Sequence, residues 1–87
     1  VEMGLANLLI SEETWLDDVT AYATRLAALP TKAIGLIKKS LKAVSKLSFE
    51  DYLELEAQGQ RVAGLTSDHR EGIQAFMEKR KPVFSGK

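Results

Sequence analysis

Four segments in which apolar residues recur at helical spacing constrain this 87-residue chain most strongly. They run from about Glu12 to Leu29, from Thr31 to Lys46, from Ser48 to Leu65, and from just after Asp68 to Arg80. In each segment the apolar side chains share one face of a helix. No strand-like alternation of polar and apolar residues follows Ile10. The pattern predicts an all-α fold, a small bundle of three to four amphipathic helices.

Prolines, glycines and short polar residues punctuate these segments. Ser11 and Ser48 are placed to cap the first and third helices, because a serine hydroxyl can accept a backbone N–H of the first turn. Pro30 ends the first helix, since the residue before a proline avoids the helical region. Gly64 suits the end of the third helix. Pro82 ends the fourth helix, and the residues after it are expected to form a short tail.

Composition excludes several classes of function. The chain has no cysteine, so disulfides and thiolate metal sites are ruled out. No apolar run approaches the roughly 20 residues that span a bilayer, and no basic leader precedes an apolar stretch. The 12 basic and 12 acidic residues cancel, which argues against a generic nucleic-acid partner. We therefore expect no membrane and no nucleic acid as partner, and a cytoplasmic location.

The zero net charge conceals blocks of alternating sign. The charge is −4 over residues 1–29, +5 over 30–47, −4 over 48–71 and +3 over 72–87. One interpretation is that acidic and basic helices attract each other and keep solvated outer faces. The other is that a basic face binds an anion. In the last block the helix dipole favours the cations Lys79, Arg80 and Lys81, but Phe76 precedes them by one turn, and an aromatic beside cations suits a nucleotide.

Motifs that carry catalytic chemistry are not found in the chain. His69 is the single histidine and is expected to be an exposed polar residue near a helix start. The sequence has no phosphate-binding glycine loop, zinc-protease helix or nucleophile elbow. Glu50 and Glu54 share a helix face, but acid/base work needs a desolvated cleft, and a solvated face is the simpler interpretation. We predict no catalytic residue and no metal site.

The segment from Asp68 to Phe84 resembles the closing signature of the enoyl-CoA hydratase/isomerase (crotonase) superfamily. That signature consists of an acid, Glu-Gly, Ala-Phe and a Lys-Arg-x-Pro-x-Phe ending. Here these elements are Asp68, Glu71-Gly72, Ala75-Phe76 and the run from Lys79 to Phe84. Further parts of the chain are similar to the family in the same order: Met3 to Asn7, Ala27 to Pro30 followed by Lys38 or Lys39, and Glu54 to Gln60.

The resemblance implies that residues 11–87 are the C-terminal helical domain of such an enzyme. Residues 1–10 contain Gly4 and begin without a capping residue. They are expected to be the remnant of a strand or linker that leaves the missing catalytic core. In the family that core is a repeated ββα spiral, which binds acyl-CoA and supplies two backbone N–H groups to an oxyanion hole. The parent is then a hydratase or isomerase of fatty acid metabolism, and this chain alone is expected to be inactive.

Two site residues follow from the resemblance. Phe76 matches an aromatic residue near the CoA end of a neighbouring subunit's site, and Lys79 matches a lysine near the adenine and phosphates. Packing in a core is the alternative interpretation of Phe76. The substrate implied is a coenzyme A thioester, with no further cofactor. The family's helices pack trimers, so the parent is expected to be a trimer or hexamer and the isolated chain to self-associate.

A second function belongs to a different class. The chain could be a free-standing helical protein-interaction module that shares only the helical pattern and has no enzymatic role. Such a module should cap its own first helix, whereas a piece of an enzyme should begin with an unpartnered segment. The composition of residues 1–10 favours the enzyme.

Overall fold

The computed structural model describes residues 1–87, and its regular secondary structure consists of helices only. It contains α1 (Trp15–Ala27), α2 (Thr31–Ala43), α3 (Phe49–Gly64) and α4 (Ser67–Met77), with a short 3-10 helix at Val44–Lys46 after α2. The all-α fold with four helices is therefore confirmed. None of these helices combines the length and apolar character that a transmembrane span requires.

The start of α1 differs from the prediction. Ser11 was expected to cap this helix, but the helix begins at Trp15, after a turn that includes Glu13. The hydroxyl of Ser11 lies 3.4 Å from the backbone nitrogen of Glu13, within that turn. Thr14 directly precedes the helix, but its hydroxyl donates to the Asp18 carboxylate at 2.6 Å. As a result no side chain caps α1.

The starts of α3 and α4 follow local capping rules. Ser48 caps α3 as predicted, since its hydroxyl oxygen accepts the backbone N–H of Asp51 at 3.1 Å. The same hydroxyl donates to the Asp51 carboxylate at 2.8 Å, which makes the short acid a workable partner. Helix α4 begins at Ser67, slightly earlier than predicted. Thr66 caps it by accepting the backbone N–H of His69 at 3.1 Å.

Gly64 does not play the predicted role at the end of α3. It is the last residue of that helix, and the following Leu65 has an ordinary φ of −86°. The left-handed residue at a helix end is instead Lys79, after α4, with a φ of 54°. Helix α4 ends at Met77, three residues before the predicted end at Arg80.

The helices form an open, elongated array. Helix α2 packs on α3, and α3 packs on α4. The radius of gyration is 16.7 Å, whereas a compact domain of this length has about 12 Å. Only Asp68 and Ala75 are buried, and large apolar side chains are exposed along the whole chain. The apolar faces predicted from the sequence are present, but the chain does not enclose them in a core of its own.

Candidate functional site

Helix α4 ends in a Schellman motif centred on Lys79. The backbone N–H of Lys79 donates to the carbonyl of Phe76 at 3.2 Å, and that of Arg80 donates to the carbonyl of Ala75 at 3.0 Å. These two bonds define the motif and satisfy carbonyls at the helix end. The central position needs a left-handed φ, which glycine adopts freely and other residues adopt at a cost of about 1–2 kcal/mol. Lys79 occupies it nonetheless.

This helix end brings the two sequence-predicted site residues together. The carbonyl of Phe76 accepts the N–H of Lys79, so their backbones lie within one turn. Phe76 is 82% exposed, and the next residue, Met77, is 75% exposed. Most large apolar side chains of the chain are exposed in the same way, so packing of Phe76 against another part of a longer protein stays an alternative prediction.

Residues 81–87, here called the C-terminal strap, fold back along α4. Asp68, in the first turn of α4, is 4% exposed. Its carboxylate accepts the backbone N–H groups of Ser85 at 2.6 Å and Gly86 at 2.9 Å. The hydroxyl of Ser67 donates to the carbonyl of Lys87 at 2.7 Å. The far end of the strap is therefore fastened to the start of the helix.

Glu71 fastens the near end of the strap. Both of its carboxylate oxygens accept from the Arg80 guanidinium, at 2.6 and 2.9 Å. One of them also accepts the backbone N–H of Val83 at 2.7 Å. A bidentate pair of this kind is among the stronger and more directional polar contacts in proteins. It joins the middle of α4 to the chain on the far side of the Lys79 reversal.

These contacts change the ionisation of the groups involved. The hydrogen bonds from Arg80 and then Val83 lower the pKa of Glu71 to about 2. Hydrogen bonds from Gln74 and then Arg80 lower the pKa of Glu78 below its ordinary value. The two carboxylates in turn raise the pKa of Arg80, mainly through Glu71. Glu71, Glu78 and Arg80 are therefore all charged at neutral pH.

The basic cluster predicted from the sequence divides into paired and unpaired cations. Arg80 makes ion pairs with Glu71 and Glu78, both at 2.6 Å. Neither Lys79 nor Lys81 makes an ion pair. Because two carboxylates already compensate the charge of Arg80, the two lysines are the members of the cluster that can attract an anion.

The strap shows what several residues of the closing signature do. Asp68, Glu71 and Arg80 fasten it. The ring of Phe84 lies over Gly72, where a Cβ atom would stand 3.8 Å from the ring. The sequence predicts residues 83–87 only as a short tail, and it does not predict that Asp68, Glu71 and Arg80 hold this tail against α4. Opposite charges at positions 71 and 80 were visible, but they meet only because the chain reverses at Lys79.

An open apolar groove of about 410 Å³ borders this site. Its walls come from the start of α2, the end of α3, helix α4 and the strap. The lining residues are Pro30, Ala33, Ala63, Thr66, Asp68, His69, Gly72, Ile73, Phe76 and Phe84. His69 is exposed, as predicted, and lies on the groove rather than in a core. No group of three acidic or histidine side chains is placed to hold a metal ion.

Comparison with known proteins gives consistent matches. The family described as enoyl-CoA hydratase/isomerase matches residues 1–87. A 1,2-epoxyphenylacetyl-CoA isomerase of Escherichia coli is 38% identical over 86 residues, which cover 99% of this chain and 33% of that protein. A probable enoyl-CoA hydratase of Rhodobacter capsulatus is 42% identical over 85 residues, covering 98% of this chain and 33% of its own length.

A solved structure extends the match to three dimensions. An enoyl-CoA hydratase subunit of Geobacillus kaustophilus superposes with a TM-score of 0.81 and 31% sequence identity, over 99% of this chain and 34% of that one. The chain thus spans about a third of the length of the relatives that it matches. With the whole of residues 1–87 matched by the family, the chain belongs to the enoyl-CoA hydratase/isomerase family.

Proposed function

We propose that residues 11–87 are the C-terminal helical domain of an enzyme that acts on acyl-CoA thioesters, with residues 1–10 leading in from its catalytic core. The observation that carries the proposal is the match of the whole chain to about a third of each relative. Those relatives are named as an isomerase and a hydratase of CoA thioesters. The parent then works in fatty acid metabolism, in the cytoplasm, with the thioester as substrate and no further cofactor.

Within that enzyme the helices serve oligomerisation and cover the acyl-CoA site. The exposure of apolar side chains supports this role, since an enzyme's core and neighbouring subunits would cover such faces. For example, Trp15 on α1 is 55% exposed, and Ile37 on α2 is 59% exposed. The parent is a trimer or hexamer in this proposal, and the chain by itself self-associates.

Phe76 and Lys79 contact the nucleotide end of CoA. Their shared position at the end of α4, on the surface, supports this assignment. An exposed aromatic ring offers a face on which adenine can stack. A lysine without a carboxylate partner offers a charge to a phosphate. Lys81 is also unpaired, but the family resemblance assigns the role to Lys79 only.

In this proposal the 87-residue chain does not catalyse the reaction by itself. The family's oxyanion hole is expected in the two thirds of the enzyme that this chain does not match. The first test compares enoyl-CoA hydration and double-bond isomerisation by the purified chain and by the protein encoded together with its upstream sequence. Turnover by the chain alone, or an upstream sequence without the core, would overturn this part of the proposal.

The assignment of Lys79 has its own test. In the longer protein, Lys79→Ala should weaken CoA binding roughly tenfold, because one charge-assisted hydrogen bond to phosphate is lost. Isothermal titration with CoA measures the change. Lys81→Ala is the matched control and should leave the affinity nearly unchanged. Equal effects of the two substitutions would show a diffuse charge effect instead of a contact at Lys79.

The alternative, a free-standing interaction module, is weakened by one observation. Such a module should cap its own first helix, but α1 begins without any side-chain cap. The longer protein decides between the two functions. Binding of CoA and turnover of an enoyl-CoA by that protein support the enzyme, and their joint absence supports the module.

A further inference from the structure

We propose that Glu71 is a positioning residue for Lys79, because its bonds to Arg80 and Val83 hold the chain reversal on which Lys79 lies. The inference rests on the proposed function, in which Lys79 binds a phosphate of CoA. It assigns a role to a side chain that faces the strap and need not touch the ligand.

The backbone conformation of Lys79 is an unusual one for a residue with a side chain. Its φ of 54° lies in the left-handed region, which a residue with a side chain rarely adopts without support from its surroundings. The two backbone bonds of the Schellman motif close the helix end, but they do not direct the chain beyond Arg80. Contacts after the reversal must therefore hold it in place.

Glu71 supplies contacts on that side. Its carboxylate accepts from the guanidinium of Arg80, the residue directly after Lys79. It also accepts the backbone N–H of Val83, three residues further along the strap. One carboxylate in the middle of α4 thus fixes both the turn and the direction of the outgoing chain. The Glu71 side chain is 22% exposed, so it is partly shielded from solvent and salt.

Arg80 is a tether rather than a ligand contact in this arrangement. Its guanidinium is shared between Glu71 and Glu78 and also donates to the carbonyl of Lys81 at 3.2 Å. The ammonium of Lys79 makes no such contact. Two neighbouring cations therefore have different tasks: Arg80 holds the chain, and Lys79 faces outward for the phosphate.

The decisive experiment is a double-mutant cycle in the longer protein, read by isothermal titration with CoA. Glu71→Gln removes the negative charge that pairs with Arg80 and changes the shape of the side chain little. It should weaken CoA binding about threefold or more. In the Lys79→Ala background the same substitution should have almost no further effect, since the positioned lysine is gone. Steady-state kinetics should show the loss in KM for the acyl-CoA and not in kcat.

The control is Glu12→Gln, which makes the same charge change at an exposed residue outside the helices. It should leave CoA affinity unchanged in both backgrounds. If Lys79→Ala weakens binding but Glu71→Gln does not, or if the two losses add in full, the positioning role is wrong and the proposed function stands. If Lys79→Ala has no effect, the assignment of Lys79 itself fails.

A second measurement tests the mechanical part without any ligand. In the 87-residue chain, Glu71→Gln should speed hydrogen exchange of the Lys79 and Arg80 amides, which donate to Phe76 and Ala75. Exchange of the Asp51 amide, bonded to Ser48 on α3, should not change. Unaltered exchange at Lys79 and Arg80 would show that the reversal holds without Glu71 and would overturn the inference.

Discussion

At the scale of single residues, the backbone conformation of Lys79 lowers stability, whereas its side chain serves the proposed function. The reversal after α4 needs a left-handed residue, and glycine would occupy that position at little cost. The chain has lysine there instead. A residue in a sparsely populated conformation motivates a functional hypothesis. The hypothesis here is that the ammonium group of Lys79 contributes more free energy to ligand binding than a relaxed backbone would contribute to folding.

Lys79→Gly should therefore separate the two effects. Relief of the left-handed conformation is expected to stabilise the chain by about 0.5–1 kcal/mol, after the greater freedom of glycine in the unfolded state is subtracted. Urea unfolding followed by circular dichroism measures the change, with Lys81→Gly as the control. In the longer protein Lys79→Gly should still weaken CoA binding. A destabilised Lys79→Gly chain would contradict the account of the helix end.

The ionisation of Glu71 is open to direct measurement. Because Arg80 and Val83 lower its folded pKa from 4.5 to about 2, the ionised form stabilises the fold. That contribution is complete above pH 4.5 and is lost as the pH falls towards 2. An NMR titration of the Glu71 side chain should show a midpoint near 2, and the Val83 amide should lose protection over the same range. A midpoint near 4.5 would mean that the pair with Arg80 is not formed in solution.

At the scale of elements, sequence reasoning succeeds where a few neighbouring residues decide the structure. Ser48 and Asp51 are three residues apart, and the cap that they predict is present. It fails where distant residues decide. The prediction of Ser11 as a cap did not anticipate that Thr14 would bond to Asp18. The strap could not be predicted from spacing, since Glu71 and Arg80 meet only after the reversal at Lys79.

The cap of α3 gives a quantitative check at this scale. Ser48→Ala removes the acceptor for the Asp51 N–H and should destabilise the chain by about 1 kcal/mol. Ser45→Ala is the control, because Ser45 is exposed and lies in the 3-10 helix away from any cap. Thermal or urea unfolding followed at the helical circular dichroism band compares the two. Equal losses would remove the special role of Ser48.

At the scale of the whole molecule, the sequence and the structure agree on amphipathic helices whose apolar faces exceed what so small a chain can bury. The apolar stripes predict a thin core and a self-associating chain, and the structure leaves most of these stripes in contact with solvent. A periodic pattern shows which face of a helix seeks cover, but not whether the same chain supplies it. In this family the match to a third of each relative offers an explanation for the exposed faces.

Self-association of the 87-residue chain follows from the same surface. Sedimentation velocity over a range of concentrations should show oligomers, because exposed apolar faces are free to pair. Leu41 is 63% exposed on α2, and Leu41→Lys should reduce the association. Ser45→Lys adds the same charge at an exposed polar position and should have less effect. A monomer at high concentration would contradict the prediction.

The meeting of Gly86 with Thr31 bears on the order in which this chain folds. Gly86 has a φ of 74°, and a Cβ atom there would stand 2.7 Å from the Thr31 hydroxyl oxygen. The helices form through contacts between residues that are close in sequence, whereas the contact between Gly86 and Thr31 closes a long loop. Closing that loop costs chain entropy before new bonds can compensate the loss. The strap should therefore close last during folding and open first during unfolding, so that the helix end carrying Lys79 acquires its shape only after the helices are in place.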